Sequence, residues 1–217
     1  ERPIVAFPER LRRDVLAFGP SVTFYAAAGQ PGEIAFRFPF RLFLLQELRV
    51  RHGHMVDIDE RLVREGMQAD YVAVARLSEA VGARAHRARE ARAASPEGTD
   101  LRVAFDPDLR WHLSTGLYHR QGEWGNLPEG EVYTCPARVD GRLVGRVIGD
   151  YFSPKYGILA SPVVVEIEDS RARRVECGVP GVAEELWEYL HSTENGDRVG
   201  EFAIGTNTAI AGLTGNL

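Results

Sequence analysis

The hydrophobic period changes once along this chain, at Ala94-Ser-Pro-Glu-Gly-Thr99, and that change limits the folds open to it. Before the junction, extended runs alternate with runs of helical spacing. Ser21–Ala27 is β-rich, Phe40–Val50 carries Leu42, Leu45 and Leu48 in helix-like order, and Arg51–Asp57 alternates again. Asp57 or Asp59 can cap a turn through Glu60–Glu65 that closes at Gly66. The longest expected helix is Asp70–Ala91, with an apolar stripe of Val72, Ala75, Leu77 and Val81 interrupted by Gly82. A short apolar run, Ile4–Phe7, precedes all of these.

After the junction the period is mostly two. Leu101–Phe105, Val132–Cys135, Val163–Ile167 and Arg174–Cys177 read as strands, with Asp169–Arg171 turning one into the next. Asp140-Gly141 reads as a type I′ hairpin turn, because both residues accept positive φ. Gly181–His191 is the one helix expected here, with Val182, Leu186 and Leu190 on one side and Asn195-Gly196 ending it. The expected fold is α/β: an N-terminal α/β domain over 1–92 and a β-rich α+β domain over 93–217, incomplete at its C-terminus.

Charge and composition remove several functions. The 217 residues carry a formal charge of -5, and no basic face dominates, so a nucleic-acid partner is not expected. The arginines of Arg84–Arg92 are interrupted by Glu90 and read as a solvated helix face. No apolar run reaches the ~20 residues of a membrane span. The opening Glu1-Arg-Pro-Ile-Val-Ala-Phe-Pro8 lacks the pattern of a signal peptide, so the expected location is cytoplasmic. Cys135 and Cys177 are too few for a disulfide framework and are expected as core thiols.

The chemistry-bearing candidates are acidic. Glu129-Gly-Glu131 places two carboxylates two residues apart, hence on one face of an extended chain, at the head of a short apolar run. Gly200-Glu201 precedes a similar run, and Gly205-Thr-Asn207 after it offers hydroxyl and amide groups for supporting hydrogen bonds. Solvated acidic loops are the competing reading for both. His52 and His54 have a spacing a metal could use, but a strand-face or surface role is favoured. His112 and His119 lie in an aromatic stretch with Trp111, Tyr118 and Trp124, which suits either a substrate pocket or simple packing. His86 and His191 read as solvent-facing helix positions, the latter suited to a helix C-terminus. Phosphate loops, G-x-G-x-x-G, G-x-S-x-G and H-E-x-x-H are all missing, which disfavours nucleotide binding and serine catalysis and leaves a metal-activated water as the better enzymatic reading.

Asn126-Leu-Pro-Glu-Gly-Glu131-Val-Tyr-Thr-Cys-Pro136 resembles the N-L-P-x-G-E-V-[FY]-T-x-P signature of the thermophilic metallo-aminopeptidases, the aminopeptidase T and aminopeptidase S group. Ser95–Leu101 is similar to the opening of that family's second domain, and Val199-Gly-Glu201-Phe-Ala-Ile-Gly-Thr-Asn207 to its later G-E segment. The resemblance runs from about Arg51 to Leu217. It implies a hydrolase that removes N-terminal residues from peptides through a metal-activated water. Two divalent ions (Zn, Co, Mn or Mg) would be held in part by Glu131 and Glu201, with Glu129 engaging the substrate's amino group. It also implies a homodimer acting on a peptide or small molecule, and further ligands beyond Leu217. Distant relatives on the same scaffold open a hydroxylated pyridine ring with one iron and dioxygen, which is the alternative activity; a non-catalytic domain that keeps the fold is a third.

Overall fold

The structure is a computed structural model and describes residues 6–30, 32–149 and 151–215. Ile4 and Val5 of the expected N-terminal run lie outside them. The chain forms two compact units. The first comprises Glu1–Arg76, Ser114–Gly130 and Asn207–Ile210; the second comprises Leu77–Leu113, Glu131–Thr206 and Ala211–Leu217. The expected boundary near residue 93 falls inside the second unit.

In the first unit, α1 (Glu9–Phe18), β1 (Val22–Ala27), α2 (Ile34–Leu42), a π turn at Phe43–Glu47, β2 (Arg51–Val56) and α3 (Glu60–Arg64) follow in order. A third strand comes from Trp124–Asn126, and the parallel sheet runs β1-β2-(Trp124–Asn126). Phe43, Leu44 and Val50 form its buried cluster, with Phe7, Val15, Phe40 and Leu48 packed against them. The helical stretch expected over Phe40–Val50 is thus split between the end of α2 and the π turn. At α3 the expected cap is present: the Asp59 carboxylate accepts from the Leu62 N–H at 2.7 Å.

Helix α4 (Tyr71–Ala85) is capped by Asp70, whose carboxylate accepts from the Val72 and Ala73 N–H groups. It ends six residues before the expected Ala91. Residues Glu90–Ala94 are instead strand β3, paired antiparallel with β4 (Asp100–Ala104). The alternation of Ala91 and Ala93 toward the core fits period two, and the cross-strand pairing decides between two readings that local spacing left open. Arg92 consequently stands on a strand face and is paired with Asp100, rather than on the expected helix. Gly82 within α4 leaves room for Leu113, since a Cβ there would stand 3.1 Å from Leu113 Cδ1.

The remaining elements of the second unit are β5 (His112–Ser114), β7 (Glu131–Thr134), β8 (Arg138–Gly145), α5 (Ser153–Tyr156), β9 (Val163–Glu168), β10 (Arg171–Cys177), α6 (Val182–Leu190) and β11 (Phe202–Gly205), with Trp124–Asn126 counted as β6. They build a five-stranded antiparallel sheet, β10-β9-β8-β4-β3, and a three-stranded one, β11-β7-β5. The five-stranded sheet buries Leu101, Val103, Val139, Val163, Val165 and Ile167 with Val182 and Leu186 of α6. The mixture of helices and several sheets is the expected α/β class.

One turn is not where Asp140-Gly141 suggests. Both residues lie inside β8, where Gly141 pairs with Leu101 on one side and Ile167 on the other. A Cβ on Gly141 would stand 2.2 Å from the Asp100 carbonyl oxygen, and its φ is +123°. The glycine therefore permits close backbone approach inside a sheet. The turn expected at Asp169–Arg171 is present as a two-residue hairpin turn, Asp169-Ser170, with φ of 52° and 61°, between the paired residues Glu168 and Arg171. Ser170 holds it: its hydroxyl accepts from the Val139 N–H at 3.0 Å, and its own N–H donates to the Val139 carbonyl at 2.8 Å.

Candidate functional site

Strands β7 and β11 pair antiparallel, with Glu131 opposite Gly205, Val132 opposite Ile204, Tyr133 opposite Ala203 and Thr134 opposite Phe202. Because side chains alternate across a strand, one face carries Val132, Thr134, Phe202 and Ile204. Val132 and Thr134 are buried there, and the Thr134 hydroxyl donates to the Arg110 carbonyl at 2.8 Å. The opposite face carries Glu131, Tyr133, Ala203 and Gly205. Cys135 and Glu201, each one residue outside the paired segment, continue the same alternation. Burying the apolar set is what turns the acidic set outward.

Glu131 and Glu201 are thus on one face of one sheet, at opposite ends of it. They sit on adjacent strands with an offset of four residues along the strand direction, about 13 Å of backbone rise. On this face Gly205 stands opposite Glu131, and Tyr133 paired with Ala203 lies between the two glutamates; long side chains on a strand lean along it. Glu131 is half-buried, and its carboxyl is pushed above the usual carboxylate range, first by burial and then by the negative charge of Glu201. Glu201 is exposed. Among the described residues, no three His, Cys, Asp or Glu side chains are grouped to hold a metal ion.

Aromatic groups flank the acidic pair. His112 stacks on Tyr133 with ring centroids 5.2 Å apart and planes at 22°. Cys135 is exposed on this face, against the expectation of a core thiol; the parity that faces Thr134 inward faces Cys135 outward. Cys177 is half-buried.

Glu129 belongs to the first unit and is 9% exposed. One of its carboxylate oxygens accepts from the Gly130 N–H at 3.2 Å, and the other accepts from the Tyr118 hydroxyl at 3.5 Å. Its carbonyl and that of Gly66 both accept from the Asn207 amide, at 2.9 and 3.1 Å. Gly130 has φ +144°, and a Cβ there would meet the Asn207 backbone nitrogen at 2.8 Å. Asn207 does contribute amide hydrogen bonds, but to backbone of the first unit. The Gly-Thr part of the same loop does otherwise: Thr206 is buried and bonded to the Ser78 hydroxyl at 2.8 Å.

Also in the first unit, His52 and His54 are on a strand face as expected, yet they are 1% and 6% exposed. Their burial follows from the position of β2 between two other strands beneath α2, which spacing alone does not reveal. His119 is exposed, as are His86 and His191; the His191 ring is 2.8 Å from the Trp187 carbonyl at the end of α6.

Residues 51–204, a stretch that contains β7, β11 as far as Ile204, and both glutamates, match the family described as NicX: 2,5-dihydroxypyridine 5,6-dioxygenase. The chain belongs to the NicX family. Comparison with curated proteins finds no match. Among solved structures, the chain is similar to a 2,5-dihydroxypyridine dioxygenase from Pseudomonas putida KT2440, at 18% identity and a TM-score of 0.54, over 88% of this chain and 53% of that one. It is also similar to wild-type AmpT from Thermus thermophilus, at 17% identity and a TM-score of 0.57, over 91% of this chain and 59% of that one. Both likenesses are of fold, and the chain spans somewhat over half the length of each. The aminopeptidase resemblance therefore stands only at the level of a distant shared fold, beside a dioxygenase family. Among the described residues no helix is long and apolar enough to cross a membrane.

Proposed function

We propose that this protein is a metal-dependent NicX-family enzyme that opens a hydroxylated pyridine ring with dioxygen, with Glu131 and Glu201 at the reaction centre. The family match over residues 51–204 carries this reading, because it includes both glutamates of the acidic face. Two hard oxygen donors on one face suit a divalent cation, and Glu131 is pushed toward its neutral form first by burial and then by the charge of Glu201. A cation nearby would relieve both the desolvation and the repulsion. When bound, a ferrous ion supplies the one-electron chemistry that dioxygen needs to react with a closed-shell ring.

The chain's own residues have defined parts in this reading. The stacked His112–Tyr133 pair offers a flat wall for an aromatic substrate beside Glu131. Ala203 and Gly205 keep the β11 side of this face small, opposite Tyr133 and Glu131.

A second reading, an aminopeptidase-like hydrolase, is favoured by the acidic pair itself and by the likeness to AmpT. Two carboxylates that feel each other across a sheet suit two cations and a water better than they suit one iron. The same reading carries a homodimer.

The deciding experiment uses the full-length protein, loaded anaerobically with Fe(II), or separately with Zn(II), Co(II) or Mn(II). Loss of 2,5-dihydroxypyridine absorbance with one equivalent of dioxygen consumed supports the oxygenase. Release of p-nitroaniline from aminoacyl p-nitroanilides without oxygen uptake supports the hydrolase. Wild-type metal content and turnover in both Glu131→Ala and Glu201→Ala would defeat both.

A further inference from the structure

The parallel sheet of the first unit buries two imidazoles on its central strand, a place that ordinarily holds valine or isoleucine. The ring nitrogens of His52 and His54 are engaged in order, and the chemistry of the partners fixes where each proton sits. A guanidinium can only donate. Arg37 Nη1, 3.5 Å from His54 Nε2, therefore makes that nitrogen an acceptor. His54 then carries its proton on Nδ1 and donates across 3.3 Å to His52 Nε2. His52 in turn is protonated on Nδ1 and donates to the Thr23 hydroxyl at 2.9 Å. Side chains from α2, β2 and β1 thus form one hydrogen-bonded line with a single direction.

We propose that the line Arg37→His54→His52→Thr23 is an acid-sensitive latch that ties helix α2 to the β1–β2 sheet and opens when either ring takes a second proton. Each acceptor nitrogen in the line already faces an N–H, so an added proton has no place that keeps the line whole. A proton on His54 Nε2 would set two donors and two cations against each other at Arg37. A proton on His52 Nε2 would do the same against His54 Nδ1–H.

The charges around the rings reinforce this. From α2 come Arg37 and Arg41, both opposing a further positive charge; Arg41 lies 4.1 Å from the Trp124 ring centroid. Glu33, at the start of α2, is the nearby carboxylate, and it is 3.4 Å from Arg37. From β1, Tyr25 lies flat on His54 with centroids 5.2 Å apart. Its hydroxyl is held protonated by burial first and by Glu33 next, against an opposite pull from Arg37. From the third strand, Trp124 and Asn126 stand in register with His52 and His54 and bring no charge. Both histidines are accordingly pushed down to about 4. Burial is the leading cause for each; Arg41 adds to it at His52, and His52, Arg37 and Arg41 add to it at His54, while hydrogen bonding at Thr23 pulls His52 the other way.

The test is direct observation of the protons. In the ¹⁵N-labelled full chain at pH 7, imidazole nitrogen shifts should show both rings neutral and protonated on Nδ1 alone. Amide exchange of Ile34–Leu42, corrected for intrinsic rates, should accelerate at least about tenfold between pH 7 and pH 5 relative to Val163–Glu168 of the other unit. In Arg37→Leu, the Nε2–H form of His54 should appear, and its titration midpoint should move up toward the ordinary histidine value. A wild-type ring that is charged at pH 7 or protonated on Nε2 overturns the proposal, whether or not the variant folds. So does α2 protection that does not change with pH relative to the reference strand.

Discussion

Two glycines near the acidic face have opposite reasons to be glycine, and substituting each with alanine separates backbone need from open space. Gly130, between Glu129 and Glu131, has φ +144°, which L-residues rarely adopt. An alanine Cβ there would stand 2.8 Å from the Asn207 nitrogen, 2.9 Å from Asn207 Cβ and 2.9 Å from Val74 Cγ1. The backbone conformation alone costs about 1–3 kcal/mol, and overpacking adds about 1–3 kcal/mol. Gly130→Ala should therefore lose about 2–6 kcal/mol, a large part of the 5–15 kcal/mol typical of a domain. Gly205 has nothing within 4 Å of a built Cβ and no positive φ, although it stands directly opposite Glu131. Gly205→Ala should leave stability within about 1 kcal/mol of the parent, on the favourable side if on either. Its methyl would occupy the open space beside the Glu131 carboxylate, so metal affinity should fall while the fold does not. Urea unfolding followed by circular dichroism gives the stabilities, and calorimetric titration with Mn(II) gives the affinities. Parent-like stability of Gly130→Ala, or a collapse of Gly205→Ala, would refute the reading of this face.

Two further outcomes are expected. The folded pKa of about 4 for His52 and His54 lies below the ordinary 6.5, so the unfolded chain binds protons first and stability present above pH 6.5 is lost as pH falls toward 4. Between pH 7 and pH 5 this removes about 2 kcal/mol per ring, read from urea midpoints by Trp124 fluorescence in a chain with Trp111 and Trp187 replaced by phenylalanine. Glu131 acts in the opposite sense, since a raised pKa means its charge costs stability at neutral pH and protonation relieves it; an unchanged midpoint over that range would contradict the histidine reading. Val132→Ala, at a fully buried position between Glu131 and Tyr133, should cost about 2 kcal/mol in chemical denaturation, and a loss below half that would mean the inner face of β7 is not packed as described.

Most of the strands were legible in the chain because burial on one face writes itself as period two. Val163–Ile167, Leu101–Phe105 and Ser21–Ala27 all form strands within a residue or two of their expected limits. The Asp59 cap and helix α6 were equally local, since a carboxylate beside the free N–H groups of a first turn and an apolar stripe at helical spacing act over short range. The acidic candidates rest on short-range order together with the family resemblance, and the pairing of β7 with β11 puts Glu131 and Glu201 on a common face.

What local order left open was decided by partners distant in sequence. Glu90–Ala94 becomes a strand because β4 lies beside it, and Asp140-Gly141 is straightened because β8 has a strand on each side. The expected turn at Asp169-Ser170 is present, and its positive φ is held by hydrogen bonds to Val139, thirty-one residues from the turn's serine. Cys135 faces outward because Thr134 must face in, and two histidines of ordinary polarity become buried bases because a strand on either side and a helix above exclude water from them. Periodicity records which side of an element is dry, whereas the neighbour that keeps it dry, and so the charge a buried group can bear, exists only once the chain has closed on itself.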